Sequence, residues 1–168
     1  MVPVAATAII GAGSATLEMA GLLLIAHAPL ATALRAVAEH VLPDRLTSLS
    51  AIDVTPDMSL EAAQAVAERA IEQLRQPEVL ILTDVFGATP CNAAQRLADG
   101  VRVRVVAGVN VPMLWRALSY AAEPLDALVE RALGGGLQGL IQVGSGRPQH
   151  QARSASEFDA EGRRQDQQ

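Results

Sequence analysis

Hydrophobic and polar positions along the chain alternate between strand-like and helix-like patterns. Gly21-Leu22-Leu23-Leu24-Ile25-Ala26-His27-Ala28-Pro29 is uncharged and aliphatic up to its histidine, as expected of a strand buried on both faces of a parallel sheet. Leu30, Leu34, Val37, Val41 and Leu42 then recur at helical spacing and predict a helix over 29–42, ended by Pro43-Asp44. Proline's fixed φ suits the first turn of that helix. Leu49–Val54 reads as a short strand closing at Asp53. Ser59 is the expected N-cap of a helix whose Leu60, Ala63, Val66, Ala67, Ala70, Ile71 and Leu74 share one face. Val79–Thr83 is a second wholly apolar strand, followed directly by Asp84. A loop over 85–90 leads to a helix over 91–98. Residues 101–106 alternate, which predicts a strand with one wetter face near a sheet edge. A loop over 108–112 and helical stretches over 113–122 and 124–133 follow. Gly134, Gly135 and Gly136 read as a flexible joint before a last strand over 137–143.

This order predicts an α/β three-layer sandwich: a mainly parallel four-stranded sheet plus the C-terminal strand. Ligands of open α/β sheets sit beyond the carboxyl ends of the strands. His27, Asp53, Asp84 and the loop from Gly108 to Asn110 all follow strands, so all four should gather on one rim. The helix that starts behind His27 would offer free backbone N–H groups to an anion. In outline, this is a phosphate site.

Composition narrows the reading. Of 168 residues half are hydrophobic, yet Phe86, Trp115, Tyr120 and Phe158 are the only aromatics, so the core is aliphatic. The formal charge is −5, and all 13 basic residues are arginine with no cluster before the tail. Nucleic acid is therefore an unsuitable partner, lacking both stacking platforms and a basic face. A single cysteine, Cys91, excludes an intrachain disulfide framework and a cysteine-based metal cluster, and fits a reducing cytoplasm. Residues 1–18 are small and apolar but lack the charged start of a signal peptide, and Glu18 interrupts them. They read as an N-terminal extension to a domain over 19–143. Residues 144–168 read as a disordered polar tail, too poor in apolar residues to offset ordering entropy. No 18-residue apolar run marks a membrane span.

A lone histidine after a strand is most often structural, and an aspartate there is often a turn residue. Together, at the ends of two central strands, they suggest more. An aspartate accepting from one imidazole nitrogen fixes the tautomer and frees the other as a nucleophile. Gly87 permits close backbone approach to a ligand. Thr89 suits either a phosphoryl contact or a helix N-cap. His40 falls late in its helix and suits the terminal carbonyls, His150 lies in the tail, and Cys91 reads as a small buried residue. No Gly-x-Ser-x-Gly elbow supports a serine hydrolase, and no Gly-x-Gly-x-x-Gly or Walker loop follows a strand. The spacing by itself thus yields a histidine-centred anion site.

Three segments resemble a known family: residues 23–27, 82–94 (Leu-Thr-Asp-Val-Phe-Gly-Ala-Thr-Pro-Cys-Asn-Ala-Ala) and 106–114 (Val-Ala-Gly-Val-Asn-Val-Pro-Met-Leu). Across 19–143 the chain resembles the IIA component of the mannose/fructose/sorbose class of the bacterial phosphoenolpyruvate-dependent sugar phosphotransferase system. The resemblance implies a cytoplasmic phosphocarrier. His27 would accept a phosphoryl group from phospho-HPr and pass it to a IIB partner on a separate chain. Asp84 would hydrogen-bond that histidine, with Ala28, Gly87 and Thr89 near the phosphoryl group. Backbone N–H groups at 28–30 and 88–91 would stabilise it, with no metal or other cofactor. It also implies a homodimer that exchanges the strand over 137–143. One departure is visible: the family often has glycine after the histidine, and here Ala28 and Pro29 follow. The alternative is a regulatory protein whose phosphorylation a partner reads. A IIA-like subunit of dihydroxyacetone kinase fits the second and third segments less well.

Overall fold

The computed structural model describes residues 19–144; the expected extension and tail, apart from Gly144, lie outside the described residues. Four parallel strands, β1 (Gly21–His27), β2 (Leu49–Val54), β3 (Val79–Thr83) and β4 (Val103–Ala107), form one sheet in the order β2-β1-β3-β4. Helices α1 (Leu30–Val41), α4 (Val111–Ser119) and α5 (Leu125–Gln138) cover one face, and α2 (Leu60–Leu74) and α3 (Thr89–Gln95) the other. A 3-10 segment, Pro43–Ser48, joins α1 to β2.

The apolar runs occupy the two central strands because both their faces are covered. Leu22, Leu24, Ala26, Leu80 and Leu82 pack toward α1, α4 and α5, while Leu23, Ile25, Val79 and Ile81 pack toward α2 and α3. Each fully buried aliphatic side chain contributes roughly 1.5–3 kcal/mol by leaving water. Alternating β4 is an edge strand, as its pattern predicted, and β2 is the other. It starts at Val103 rather than 101, since the Asp99 carboxylate accepts from the N–H groups of Val101, Arg102 and Val103 and holds that approach as a turn. Ser59 caps α2, its hydroxyl accepting from Ala62 N–H at 3.1 Å. Helix α3 is shorter than expected and begins earlier, with Pro90 in a first turn that needs no N–H from it.

The C-terminal region corrects the sequence reading. Gly134, Gly135 and Gly136 lie inside α5 and form no joint. A Cβ on Gly135 would stand 2.9 Å from Pro112 O and 2.8 Å from Arg116 Cβ. Gly135 and Gly136 let α5 approach α4 closely, and Asn110 Nδ2 bonds Gly136 O across that contact at 3.2 Å. Packing overrides glycine's poor helix propensity of about 1 kcal/mol per residue. The expected strand over 137–143 is also absent within the single chain: Leu137 and Gln138 end the helix, and residues 140–143 carry no regular structure.

Candidate functional site

Strand β1 leads through α1 to β2 on one side, while β3 leads through α3 to β4 on the other. The seam between β1 and β3 is therefore the topological switch point, where doubly wound sheets open a crevice. His27 ends β1 there, and Asp84 follows β3 beside it.

The two residues, 57 apart in sequence, meet through one carboxylate oxygen. Asp84 Oδ2 accepts from the His27 backbone N–H at 2.9 Å and lies 2.7 Å from His27 Nδ1. Its other oxygen accepts from Val85 N–H at 2.8 Å. An ionised carboxylate is an acceptor only, so the ring proton is assigned to Nδ1 and the Nε2 lone pair is free. The ring stands 53% exposed while the carboxylate is only 8% exposed. Burial works against the Asp84 charge, but hydrogen bonds from the His27 N–H, the His27 ring and Val85 outweigh it and lower its pKa below the ordinary carboxylate value. The result is a rigid, charged base plate under a half-exposed imidazole.

The loop after Asp84 forms one wall. Gly87 has φ of +83°, a conformation glycine adopts freely, and its carbonyl accepts from Asn92 Nδ2 at 3.0 Å. Beside it Phe86 projects 77% exposed. Thr89 is the first residue of α3 and half-buried; Ala88 holds the cap position, and Thr89 makes no cap bond. Ala28 is exposed beside His27, but its N–H donates to Val54 O at 3.0 Å. Pro29 lies just before α1, where it occupies the cap position without a capping side chain.

Asp53 also reaches the rim, though not the imidazole. It accepts from the first turn of α1, so the anion-binding end of that helix is already met by a carboxylate. Its sequence signal was an aspartate ending a strand while α1 lacked a cap residue of its own. Cys91 is buried, and His40 lies exposed in the last turn of α1. A groove of about 320 Å³ runs along the β4 edge between Phe86, Cys91, Arg104 and Val105, and His27 does not line it. Among the described residues, no three His, Cys, Asp or Glu side chains gather where a metal ion could bind, and no helix is long and apolar enough to cross a membrane.

Residues 21–133 match the family described as the PTS system fructose IIA component. The fructose-specific EIIA component of Bacillus subtilis (strain 168) is 41% identical over 64 residues, 35% of this chain and 44% of that protein. The sorbose-specific EIIA component of Lacticaseibacillus casei is 33% identical over 94 residues, 55% of this chain and 67% of that protein. The matched stretch thus spans less than half the length of the Bacillus subtilis relative. Among solved structures, the mannose/sorbose-specific IIA subunit of the phosphotransferase system from Enterococcus faecalis superposes with a TM-score of 0.69 at 26% identity, covering 77% of this chain and 98% of that one. Two thirds of the chain, from β1 into α5 and including both His27 and Asp84, fall within the family match, and the chain belongs to the IIA components of the mannose/fructose/sorbose class of the phosphotransferase system.

Proposed function

We propose that the protein is a phosphocarrier: His27 accepts a phosphoryl group from phospho-HPr and passes it to a IIB partner on a separate chain. The observation that carries this reading is the 2.7 Å contact between Nδ1 of a half-exposed His27 and the buried Asp84 carboxylate. Nε2 of the neutral ring attacks phosphorus in line, the P–N bond to the donor imidazole breaks, and a new P–N bond forms on Nε2. The donor leaves as neutral imidazole. His27 keeps its Nδ1 proton and gains positive character, which Asp84 offsets. Such transfer asks mainly for positioning and charge stabilisation. The Gly87 backbone and the Thr89 hydroxyl are the groups we assign to the phosphoryl oxygens. Ala28, its N–H already committed, borders the phosphoryl group without donating to it.

Incubation with phosphoenolpyruvate, enzyme I and HPr, followed by mapping of the acid-labile phosphate, tests the assignment. Label on His27, lost in His27→Ala, is expected; label on His40 or His150 would overturn it.

We further infer a cytoplasmic homodimer. Leu137, Leu140, Ile141 and Val143 are exposed beyond the packed part of α5, while the β4 edge with its groove lies open. An apolar segment and an unpaired edge in one chain favour exchange between two copies, which would turn residues 140–143 into a strand. Light scattering should show a dimer, and charged residues at Leu140 and Ile141 should dissociate it. Deletion from Arg147 onward should leave it intact; a monomer before any change would sink the exchange.

A further inference from the structure

We propose that Asp53 is a positioning residue for His27, acting through the start of α1. The transfer half of its test rests on the phosphocarrier reading. Helix α1 begins only three residues after His27, and its cap position is a proline with no acceptor side chain. Its first-turn N–H groups would be orphaned there. Asp53, half-buried at the end of the neighbouring strand, supplies what is missing. Its Oδ1 accepts from Ala31 N–H at 2.9 Å and Thr32 N–H at 3.2 Å, and its Oδ2 accepts from the Thr32 hydroxyl at 2.6 Å. One residue on, Val54 O takes the Ala28 N–H at 3.0 Å.

The segment between His27 and α1 is therefore fastened to β2 at both of its ends. Asp84 fastens His27 from the opposite side, through its backbone N–H and its ring. A ring held by Asp84 alone could still shift with its backbone; Asp53 and Val54 remove that freedom. The same carboxylate meets the positive end of α1, so charge stabilisation of a phosphoryl group falls to the loop holding Gly87 rather than to that helix. Asp53 thus sets both where Nε2 points and from which side its cargo is held.

A mere helix cap would affect melting alone, so the deciding readouts are others. In the unphosphorylated protein, nitrogen and proton spectra of the ring report the Nδ1–H bond to Asp84. In the transfer reaction, rates at saturating and limiting phospho-HPr separate positioning from docking. Asp53→Ala, measured well below its own melting temperature, should broaden or lose the Nδ1–H signal. Its saturating rate should fall ~10-fold, inside the ~10²-fold that a 1 Å misplacement can cost, with the donor concentration for half-saturation little changed. Asp53→Asn keeps an acceptor for Ala31 and Thr32 and should recover most of the rate and the signal. If Asp53→Ala fails to fold, Thr32→Val, which removes the hydroxyl's contacts to Asp53 Oδ2 and Pro29 O but keeps the backbone bonds to Asp53 Oδ1, should still lower the saturating rate about two- to threefold on the same scale. A wild-type ring spectrum and saturating rate in Asp53→Ala, or in Thr32→Val should that one not fold, would overturn the proposal. Should the wild type take no phosphate on His27, the phosphocarrier reading fails, and the ring spectra alone decide the role of Asp53.

Discussion

Two aspartates stand on the same rim and accept similar sets of hydrogen bonds, yet they hold different things. Asp84, at the β1–β3 seam, takes two backbone N–H groups and an imidazole. Asp53, at the β1–β2 seam, takes two backbone N–H groups and a hydroxyl. What separates them is topology. The β1–β3 seam is where the connections diverge, leaving the His27 ring half-exposed. The β1–β2 seam is spanned by α1 itself, so its carboxylate meets a helix end rather than a ligand. A carboxylate at a strand's end is thus given its task by what the neighbouring connection leaves open.

The comparison breaks most readily at Asp84. Asp84→Asn keeps the shape and loses the charge, and should slow phosphotransfer by at least ~100-fold, within the ~10²–10⁴ range for a positioned proton partner. Folding should persist; unchanged transfer kinetics would make Asp84 a purely structural residue. Asp53→Ala should instead lower stability by about 1 kcal/mol, the usual worth of a helix cap, read as a fall in melting temperature beside the smaller rate loss given above.

Acid titration sharpens the contrast. The folded-state pKa of Asp84 is depressed, so its stabilising contribution is present above the unfolded value of 3.8 and is lost as pH falls through the lower folded value. Denaturant melts should therefore show the gap between wild type and Asp84→Asn steady from neutrality down to about pH 5 and closing below about pH 4. A gap unchanged down to pH 2 would mean that the carboxylate charge contributes nothing to folding.

The α4–α5 packing contact, which touches neither aspartate, supplies the control. Gly135→Ala places a Cβ against Pro112 O and Arg116 and should destabilise by about 1–3 kcal/mol through overpacking. The transfer rate per folded molecule should stay the same; a large rate loss would mean that the α4–α5 contact reaches the imidazole. The smallest effect is expected at Thr83, directly before Asp84, whose hydroxyl is fully buried without a hydrogen-bond partner. Thr83→Val removes an unmet polar group and should raise stability by up to about 1 kcal/mol, seen as a melting temperature higher by a few degrees. A lower melting temperature would show that the hydroxyl has a partner.

The sequence by itself determined the α/β class, the two buried central strands, the edge position of β4, and the placing of His27 and Asp84 at strand ends. Each of these follows from local periodicity and from the rule that parallel strands present their carboxyl ends together. What joins His27 to Asp84 is a different matter, because residues 57 apart meet only once β1 and β3 lie side by side in register. Asp53 illustrates the same limit: nothing within β2 shows that its carboxylate caps a helix 21 residues earlier. The glycines of α5 show the opposite error, a local rule correctly read and then overruled. Three consecutive glycines weaken an isolated helix, but against Pro112 and Arg116 the missing side chain of Gly135 is what allows the contact. Tertiary packing decided these points because the energy of a close approach belongs to both partners, and a sequence pattern describes only one of them at a time.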